Sequence, residues 1–311
     1  MLDVKRLRVL REVALCGSFS AAADALSYTQ SAISQQIAAL EREAGTTLVE
    51  RSARGVRLTE AGEALVRHTE AILARLADAE DELEAIAGLR GGRLRLAAFP
   101  TAAATVMPRA IARFREKHPA VELSMEPREP DDALAALKAG EVDIGAVILS
   151  DTDQPEVEGM TLTHLLDDPM YAMLPIGHPH ASKSRLRLED LAAEKWMLGS
   201  TGKCPDTQIL LRACLSAGFD AQIAFHSDDY LAIQGLVASG LGVALIPDLA
   251  LVAVRDDVVV RALTGSTPVR RIFAATLKEG YCSPATEAML EILTEVCADF
   301  GQGRRELALA S

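Results

Sequence analysis

The sequence predicts a chain of three parts: a small helical region that ends in a short hairpin, one long helix, and a larger α/β region. Three observations support this division. Short helical patterns and a basic segment fill the first 60 residues, and a stretch with almost no helix breaker follows to about residue 89. Beyond it, strand and helix patterns alternate, as expected for an open sheet covered by helices.

Length and composition agree with several globular domains. The 311 residues suffice for two or three domains, and 49% apolar but only 4% aromatic content leaves the packing to Leu, Ala, Val and Ile. The longest apolar runs, such as residues 241–247, are too short to cross a membrane. Residues 1–5 carry no signal-type apolar segment, so we expect a cytoplasmic protein without a membrane partner.

The net charge of −12 argues against nucleic-acid binding only until the chain is divided. Residues 1–60 carry eight Lys or Arg and seven Asp or Glu, a net charge of +1, so the remainder carries −13. A nearly neutral head with a basic hairpin is compatible with DNA binding at one end. The acidic remainder should discourage unspecific adhesion to nucleic acid.

The cysteines and histidines suggest neither a cofactor nor a metal. Five cysteines form no CxxC pair or zinc-type spacing, and an odd number gives no disulfide framework. Six histidines are scattered, and the His-Pro-His segment at residues 178–180 has no acidic or thiol neighbour in sequence. We therefore expect no metal site and no catalytic residue.

The first helix is expected over about residues 4–15. Its inward-facing residues are Leu7, Leu10 and Ala14. Gly17 supplies the stop signal, and Ser20 is the expected N-cap of the second helix. For the third helix, Ser27 has capping-box spacing to Gln30, but Thr29 is an equally good N-cap. The sequence leaves that boundary open.

The third helix has two contrasting faces. Apolar residues at i, i+4 and i+7 form the buried stripe, namely Ile33, Ile37 and Leu40. The first turn and the opposite face are mostly small, uncharged and hydrogen-bonding. The candidate DNA-contacting residues there are Gln30, Ser31, Ser34, Gln35, Ala38 and Arg42. Such a face can enter a major groove, where glutamine pairs bidentately with adenine. The following Arg51, Arg54 and Arg57 suit phosphate contacts.

The residues of this region resemble the LysR-type transcriptional regulators. The matching segments are Phe19–Ala23 (FSAAA), Ser31–Ile37 (SAISQQI), Leu40-Glu41, Leu48–Arg51 (LVER) and Leu58–Gly62 (LTEAG). The resemblance implies a winged helix-turn-helix domain over residues 1–60 that binds double-stranded, pseudo-palindromic DNA. The family more often has Arg where this chain has Gln35, which leaves the base preference open. The alternative is a helical packing module without a DNA role.

Residues 60–89 predict one amphipathic helix. Its apolar stripe consists of Leu65, Ile72, Leu76, Leu83 and Ile86. A solitary helix of this kind must bury its stripe against either another domain of the same chain or another chain. The resemblance implies the second case, a linker helix that pairs antiparallel in a homodimer or homotetramer. Gly88–Gly92 would then be a hinge, within a linker region at residues 61–90.

From residue 93 the pattern predicts a mainly parallel open sheet with helices on both faces. Strands are expected at residues 93–99, 121–126, 142–149, 161–166, 170–174, 195–198, 222–226, 241–246 and 271–276. Helices are expected at residues 101–118, 131–139, 205–217, 229–239 and 284–300, and a surface loop at 151–159.

This region also resembles the effector-binding domain of the LysR-type regulators. The matching phrases are Leu165–Pro169 (LLDDP), Leu174–Pro179 (LPIGHP) and Val237–Pro247 (VASGLGVALIP). The resemblance implies two α/β subdomains with the architecture of periplasmic binding proteins, spanning residues 91–311. Subdomain I would comprise residues 91–162 and 268–311, and subdomain II residues 163–267.

A small molecule is expected at the carboxyl ends of the strands, against helix N-termini. The candidate effector-contacting residues are Pro100, Thr101, Ala146, Ile148, Ser200, Thr201 and Cys204. The Thr101 hydroxyl and nearby backbone N–H groups could hold a carboxylate, which makes an anionic effector one candidate. By resemblance, Thr101 and the loop at residues 200–204 match positions where the family holds its effectors. The plainer alternative is helix capping by Thr and Ser.

The leading hypothesis is therefore a sequence-specific regulator of transcription, not an enzyme, controlled by an effector bound between the subdomains. One alternative is a redox-sensing regulator: Cys204 lies beside a cation and before a helix, Cys214 follows ten residues on, and peroxide-sensing members of the family use two cysteines in this region. A solute-binding protein would leave residues 1–90 unexplained. An enzyme would need a nucleophile with a base or paired carboxylates, and the candidate pair Asp228/Asp229 begins a helix, where acidic residues are expected anyway.

Overall fold

The computed structural model describes residues 1–52, 55–86, 92–149, 159–199, 205–278 and 282–310. The chain forms two compact units. The first comprises Met1–Arg95 with Ala120–Glu122 and Ala135–Asp143, and the second comprises Leu96–Pro119, Leu123–Leu134 and Ile144–Ser311. In the described parts of the chain, no helix is long and apolar enough to cross a membrane.

Three helices open the first unit: α1 (Val4–Cys16), α2 (Phe19–Leu26) and α3 (Gln30–Ala44). Gly17 ends α1 in the left-handed conformation at φ 61°, as predicted. The N-cap of α2 is Ser18, whose hydroxyl accepts from the backbone N–H of Ala21, so the prediction of Ser20 was wrong. Thr29 caps α3 by accepting from the backbone N–H of Ala32, which decides between the two boundaries that the sequence left open.

The three helices enclose one apolar core. Its fully buried members include Leu7, Leu10, Val13, Ala22, Ile33, Ile37 and Leu40. The predicted stripe of α3 is therefore confirmed. Ala14, which was expected to face inward, is only half-buried, because Val13 takes the inward position on α1.

A two-stranded hairpin follows, with β1 (Val49–Ser52) antiparallel to β2 (Gly55–Leu58). It is fixed to the helices at both ends. The Glu41 carboxylate accepts from the backbone N–H groups of Leu48 and Val49 at 2.9 and 3.3 Å, and Val56 N–H donates to the Gly17 carbonyl at 3.0 Å. The hairpin is therefore held rigidly on the helical core, as a wing.

Helix α4 (Glu60–Ile86) is the predicted long helix. Its N-terminal residues Leu65 and Val66 pack against the core of the first unit. Further along the predicted stripe the side chains are open: Ile72, Leu76 and Leu83 are 38%, 39% and 66% exposed. The side chain of Ile86 and the predicted hinge residues 88–91 lie outside the described residues.

The α/β region contains ten strands and six α-helices in the described residues. The strands are β3 (Gly92–Ala98), β4 (Val121–Pro127), β5 (Ile144–Leu149), β6 (Met160–Pro175), β7 (Arg185–Leu186), β8 (Lys195–Leu198), β9 (Gln222–His226), β10 (Ala244–Pro247), β11 (Val258–Leu263) and β12 (Val269–Leu277). The helices are α5 (Pro100–Ala103), α6 (Val106–Lys117), α7 (Pro130–Ala139), α8 (Pro205–Ser216), α9 (Tyr230–Ala238) and α10 (Pro284–Ala310).

The long strand β6 links two sets of strands. Its first part, through Pro169, pairs antiparallel with β12, and its second part, from Met170, pairs antiparallel with β10 and β11. The order across the sheet is β4-β3-β5-β12-β6-β11-β7, with β10 added to β6, while β8 and β9 form a separate parallel pair. The sheet is therefore mixed, and the expectation of a mainly parallel sheet was wrong.

Three further predictions needed correction. The strands expected at residues 161–166 and 170–174 are one strand, because different partners pair with β6 on either side of Pro169. The helix expected at residues 101–118 is two helices, α5 and α6, and at the break the Thr105 hydroxyl donates to the Thr101 carbonyl at 2.6 Å. Strands β7 and β11 were not predicted. The predicted loop at residues 151–158 lies outside the described residues.

Candidate nucleic-acid interface and ligand cleft

Helix α3 presents its predicted polar face outward in the first unit. Gln30, Ser31, Gln35 and Arg42 are exposed, and Ser34 and Ala38 are half-buried. On the wing, Arg57 is exposed, whereas the side chain of Arg51 and all of Arg54 lie outside the described residues. This arrangement leaves an uncharged, hydrogen-bonding surface over the first three turns of α3.

Two neighbouring glutamines on α3 have different surroundings. Gln36 is half-buried, and its side-chain oxygen accepts a hydrogen bond from Arg6 Nε at 3.3 Å. The same Arg6 side chain also forms an ion pair with Glu43. Gln35 is exposed and has no hydrogen-bond partner among the described residues. Gln36 therefore serves the packing of α1 on α3, and Gln35 is available to a ligand.

A cleft of about 620 Å³, partly open to solvent, lies in the second unit. Its apolar wall comes from several strands and helices, with Pro100, Ile148, Met197, Leu210, Ile233 and Leu245 among the residues that line it. Its polar residues include Thr101, Glu129, Asp206, Thr207, Asp228 and Arg270. The cleft therefore combines an apolar wall with several polar side chains, as ligand pockets commonly do.

At the base of the cleft, Arg270 on β12 joins four elements of the fold. Its Nε donates to Asp168 on β6 at 2.9 Å, and its Nη1 donates to both carboxylate oxygens of Asp206 on α8, at 3.2 and 3.0 Å. Its Nη2 donates to the Thr101 hydroxyl at 3.0 Å and again to Asp168, at 2.5 Å. The Tyr230 hydroxyl, at the start of α9, donates to Asp206 as well. The network is therefore shared by strands and helices that are far apart in sequence.

The network is charged although it is buried. Arg270 is 1% exposed and Asp168 is fully buried. Burial lowers the pKa of Arg270, but the carboxylates of Asp206 and Asp168 more than offset it, so the pKa is raised overall and the guanidinium stays protonated. Burial raises the pKa of Asp168, and the charge and hydrogen bonds of Arg270 oppose that rise. Asp168 also accepts from the backbone N–H of Leu249 at 3.0 Å.

Two further carboxylates line the cleft, Glu129 and Asp228. Partial desolvation raises the pKa of Glu129, and the negative charges of Asp228 and Asp206 raise it further. The positive charge of Arg270 opposes this rise. The described lining therefore contains the carboxylates of Glu129, Asp206 and Asp228, and the guanidinium of Arg270 is paired with Asp168 and Asp206.

Two family profiles match the chain in the order of its two regions. "Bacterial regulatory helix-turn-helix protein, lysR family" matches residues 4–63, and "LysR substrate binding domain" matches residues 87–298, more than half of the chain. This chain belongs to the LysR family of transcriptional regulators. It combines a DNA-binding helix-turn-helix domain with an effector-binding α/β domain.

Individual proteins similar to this LysR-type regulator match it over most of its length. The probable HTH-type transcriptional regulator LrrA of Synechococcus elongatus is 31% identical over 299 residues, which cover 96% of this chain and 98% of LrrA. A probable hydrogen peroxide-inducible genes activator of Mycobacterium avium is 36% identical over 251 residues, 79% of this chain and 78% of its own. Full-length CbnR, solved with its target DNA, shares the fold with a TM-score of 0.72 at 23% identity, over 95% of this chain and all of CbnR.

The candidate effector residues of the regulator fall into three groups. Pro100, Thr101 and Ile148 line the cleft, whereas Ala146 is buried on β5 and is not part of the described lining. Ser200, Thr201 and Cys204 lie outside the described residues. The Thr101 hydroxyl oxygen accepts a hydrogen bond from Arg270. The hydroxyl hydrogen of Thr101 would be the group that it can offer to a ligand.

Sequence reasoning missed Arg270, Asp206, Glu129 and Thr207. Asp206 and Thr207 stand in the first turn of a helix that was predicted correctly, so their place beside the 200–204 loop was a usable signal. Arg270 offered no such signal, because nothing local distinguishes it from the adjacent Arg271.

The predicted redox partner Cys214 is buried inside the core of the second unit. Burial raises the pKa of its thiol to about 12, which opposes formation of a reactive thiolate at neutral pH. Cys204 lies outside the described residues. The surroundings of Cys214 therefore do not favour the redox-sensing alternative.

Proposed function

We propose that this regulator is a cytoplasmic protein that reads operator DNA through the exposed face of α3 and answers to a small molecule held in the cleft beside Thr101 and Arg270. We also propose that it is not an enzyme. The observation that carries the DNA-reading role is the exposed polar face of α3, opposite a stripe that is fully buried. An ordinary surface helix would carry Glu and Lys there instead.

The residues of α3 suit direct reading of base edges. Gln35 lies in the second turn with a free amide, which can pair bidentately with adenine N6 and N7 in the major groove. Gln30 and Ser31 lie in the first turn, where backbone N–H groups also favour phosphate. Ser34, Ala38 and Arg42 continue the same face. Arg51, Arg54 and Arg57 on the wing would hold the phosphates alongside and fix the register.

The replacement Gln35→Ala tests this role, with Gln36→Ala as the matched control. We expect Gln35→Ala to weaken binding to the natural operator by about 1–3 kcal/mol and to leave binding to random DNA nearly unchanged. Gln36→Ala should affect both DNAs equally, because this side chain faces Arg6. Fluorescence anisotropy with both DNAs at one fixed salt concentration measures the difference. Equal losses on both DNAs for Gln35→Ala would remove this residue from base reading.

The exposed apolar side chains of α4 support a dimer. Ile72, Leu76 and Leu83 recur on one stripe of α4 and are exposed, whereas Leu65 and Val66, nearer the start of the helix, pack against the core of the first unit. Antiparallel pairing with a second α4 would cover this stripe and place two reading helices on one pseudo-palindromic site. In this proposal residues 1–60 form the DNA-binding domain, 61–90 the linker, and 91–311 the effector-binding domain, with subdomains at 91–162 plus 268–311 and at 163–267.

The cleft supports binding rather than catalysis. Asp206 and Arg270 are engaged with each other, and Asp206 also accepts from Tyr230. In the described lining no hydroxyl or thiol is hydrogen-bonded to a histidine, which is the arrangement that would activate a nucleophile. Regulation would proceed by a population shift, in which the bound effector stabilises one degree of closure of the two subdomains. This would change the angle between the two DNA-binding domains of a dimer.

A further inference from the structure

The turn between α7 and β5 lies against helix α4 at a point where no side chain fits. Gly140 follows the end of α7 with a φ of 71°, and a Cβ added to it would lie 2.1 Å from the Cβ of Ala74 on α4. Carbon atoms in contact are normally about 3.5–4.0 Å apart, so a side chain at residue 140 requires α4 to move by more than about 1 Å. Both residues belong to the first compact unit. Glycine therefore permits a close approach of the turn to α4.

A charged residue on the same face of α4 supports this contact. Burial raises the pKa of Glu70, the negative charge of Glu141 raises it further, and the positive charge of Arg11 on α1 opposes the rise. Glu70 and Ala74 are four residues apart and so lie on one face of the helix. The influence of Glu141 on Glu70 therefore agrees with the contact between Gly140 and Ala74. It also shows that α1, α4 and the turn are neighbours within the first unit.

Arg95 on β3 fixes the turn from its other side. Its guanidinium donates to the Gly140 carbonyl at 2.6 Å and to the two carboxylate oxygens of Asp143 at 2.7 and 3.2 Å. Its backbone N–H donates to Asp143 as well, at 2.7 Å. The two side chains of this ion pair are only 17% and 19% exposed, so salt screens it less than a surface pair. The turn is therefore held firmly on the start of β3.

Strands β3 and β5 lead from this turn to the cleft. They run parallel, with Leu96 opposite Ile144. The turn lies at the start of both strands. At their other end, Thr101 in the helix that follows β3 and Ile148 near the end of β5 line the cleft. Hydrogen-bonded strands are rigid elements through which two sites can be coupled. The cleft wall and the turn are therefore the two ends of one rigid piece.

The contact with the turn leaves the exposed stripe of α4 available. Ala74 is two residues from both Ile72 and Leu76, which corresponds to about 200° around the helix axis. It therefore faces away from the stripe that these two residues form. The turn and a second α4 would not compete for the same face of the helix.

We propose that the turn at residues 140–143 positions α4, and with it the DNA-binding domain, so that a dimer presents its two reading helices to the operator at one fixed angle. This role rests on the proposed function, because the angle between two DNA-binding domains matters only on operator DNA. Gly140 and Arg95 are then positioning residues, which act through α4. A shift of the cleft wall caused by an effector would reach α4 along the same two strands.

Gly140→Ala tests this role, with Gly218→Ala as the matched control. Both glycines have a positive φ, 71° and 85°, so alanine is strained at both, but only at residue 140 does the new Cβ collide with a neighbour. Energy transfer between dyes at the two ends of the natural operator, saturated with full-length protein, measures the bend of the DNA. We expect Gly140→Ala to change the transfer efficiency and to weaken operator binding about three- to tenfold, while binding to a single half-site stays unchanged. Gly218→Ala should match the wild type in all three measurements.

The second substitution Ala74→Gly distinguishes the contact from a local defect in the turn. In Gly140→Ala/Ala74→Gly the new Cβ meets the Cα of residue 74 at 3.6 Å, an ordinary contact distance, whereas the backbone strain at residue 140 remains. We expect the double variant to restore the wild-type transfer efficiency and the operator affinity to within about twofold. A double variant that fails to do so, or that fails to fold in circular-dichroism melts, would overturn the proposal. Gly140→Ala behaving as Gly218→Ala does would also overturn it.

The same DNAs separate this inference from the proposed function. If Gln35→Ala loses operator preference while Gly140→Ala bends the operator as the wild type does, DNA reading stands and the positioning role fails. Equal weakening by Gly140→Ala on the operator and on the half-site would mean that the DNA-binding domain itself is damaged, and the positioning role fails again. If the wild type shows no operator preference, the reading role fails, but a change of bend that Ala74→Gly reverses would still support the positioning role.

Discussion

Replacing Arg270 with Met tests the buried network on which the cleft is built. The substitution keeps an unbranched apolar stem and removes the guanidinium. Asp168, fully buried, then loses its ion-pair partner. Removing one partner of a buried ion pair typically costs about 3–5 kcal/mol, because the other charge is left uncompensated. We expect a loss of that size in the free energy of unfolding of the second unit.

The adjacent Arg271→Met is a closely matched control. Arg271 stacks on Phe273 at 5.6 Å, much as Arg270 stacks on Phe99 at 5.4 Å, so both substitutions remove a similar cation–π contact. Arg271 is partly exposed, however, and its only ion pair in the described residues is with Asp167 at 4.0 Å. A pair of this kind is worth about 0–1 kcal/mol. The difference between the two variants therefore isolates the buried network.

The single tryptophan provides the assay. Trp196 is fully buried in the core of the second unit, so its fluorescence reports the unfolding of that unit during urea titration. With an m-value of about 2–3 kcal/mol per M, Arg270→Met should lower the midpoint by roughly 1–2 M. Equal midpoints for Arg270→Met and Arg271→Met would refute the reasoning.

A double substitution identifies the cause of the loss. Asp168→Asn neutralises the orphaned carboxylate but keeps an oxygen that can accept from the backbone N–H of Leu249. In the Arg270→Met background it should recover at least about 1 kcal/mol, whereas alone it should destabilise, since it weakens the bond to Arg270. A double variant less stable than Arg270→Met would show that the uncompensated charge is not the source of the loss.

Two further predictions concern a glycine and a thiol. A Cβ on Gly62 would lie 2.1 Å from the Leu48 carbonyl oxygen, so Gly62→Ala should destabilise the first unit by about 1–3 kcal/mol in circular-dichroism melts. The control Gly235→Ala lies in helix α9 with open space around the new Cβ, and it should instead stabilise the protein by about 0.5–1 kcal/mol. Two losses of equal size would contradict this prediction. Burial raises the pKa of the Cys214 thiol from 9.0 to about 12. The neutral, buried thiol therefore makes its full contribution to folding stability below pH 9, and this contribution is lost as the pH rises from 9 to 12. Iodoacetamide at pH 7.5 should label the exposed Cys282 but not Cys214, as measured by peptide mass mapping. Rapid labelling of native Cys214 would reopen the redox-sensing alternative.

Helices α1–α3 could be predicted well because the sequence patterns that specify them are local. Ile33, Ile37 and Leu40 recur with the period of a helix, and a helix with one buried face must turn the other outward. Helix caps were less certain because neighbouring hydroxyls compete. Ser18 rather than Ser20 caps α2, since the chain leaves Gly17 in the left-handed conformation and enters the helix at once.

The cleft could be predicted only in part because its chemistry joins distant segments. Arg270 and Asp168 are 102 residues apart, and no local pattern links them. Two strands were expected, at residues 161–166 and 170–174, but partners on either side of Pro169 keep β6 continuous. Strand β11 was different. Its three consecutive valines, Val258–Val260, were a usable strand signal that the sequence analysis overlooked.

The position of β12 in the sheet has a consequence for biosynthesis. It lies between β5 and β6, although β6 begins at Met160 and β12 only at Val269. At about 5–20 residues per second, a ribosome needs roughly 5–20 s to add the intervening segment, and meanwhile the nascent chain carries two strands whose facing edges are unpaired. Chaperones would have their main opportunity to bind in that interval. A premature stop before Val269 removes the middle of the sheet rather than its border, so such truncated chains should aggregate instead of forming a smaller domain.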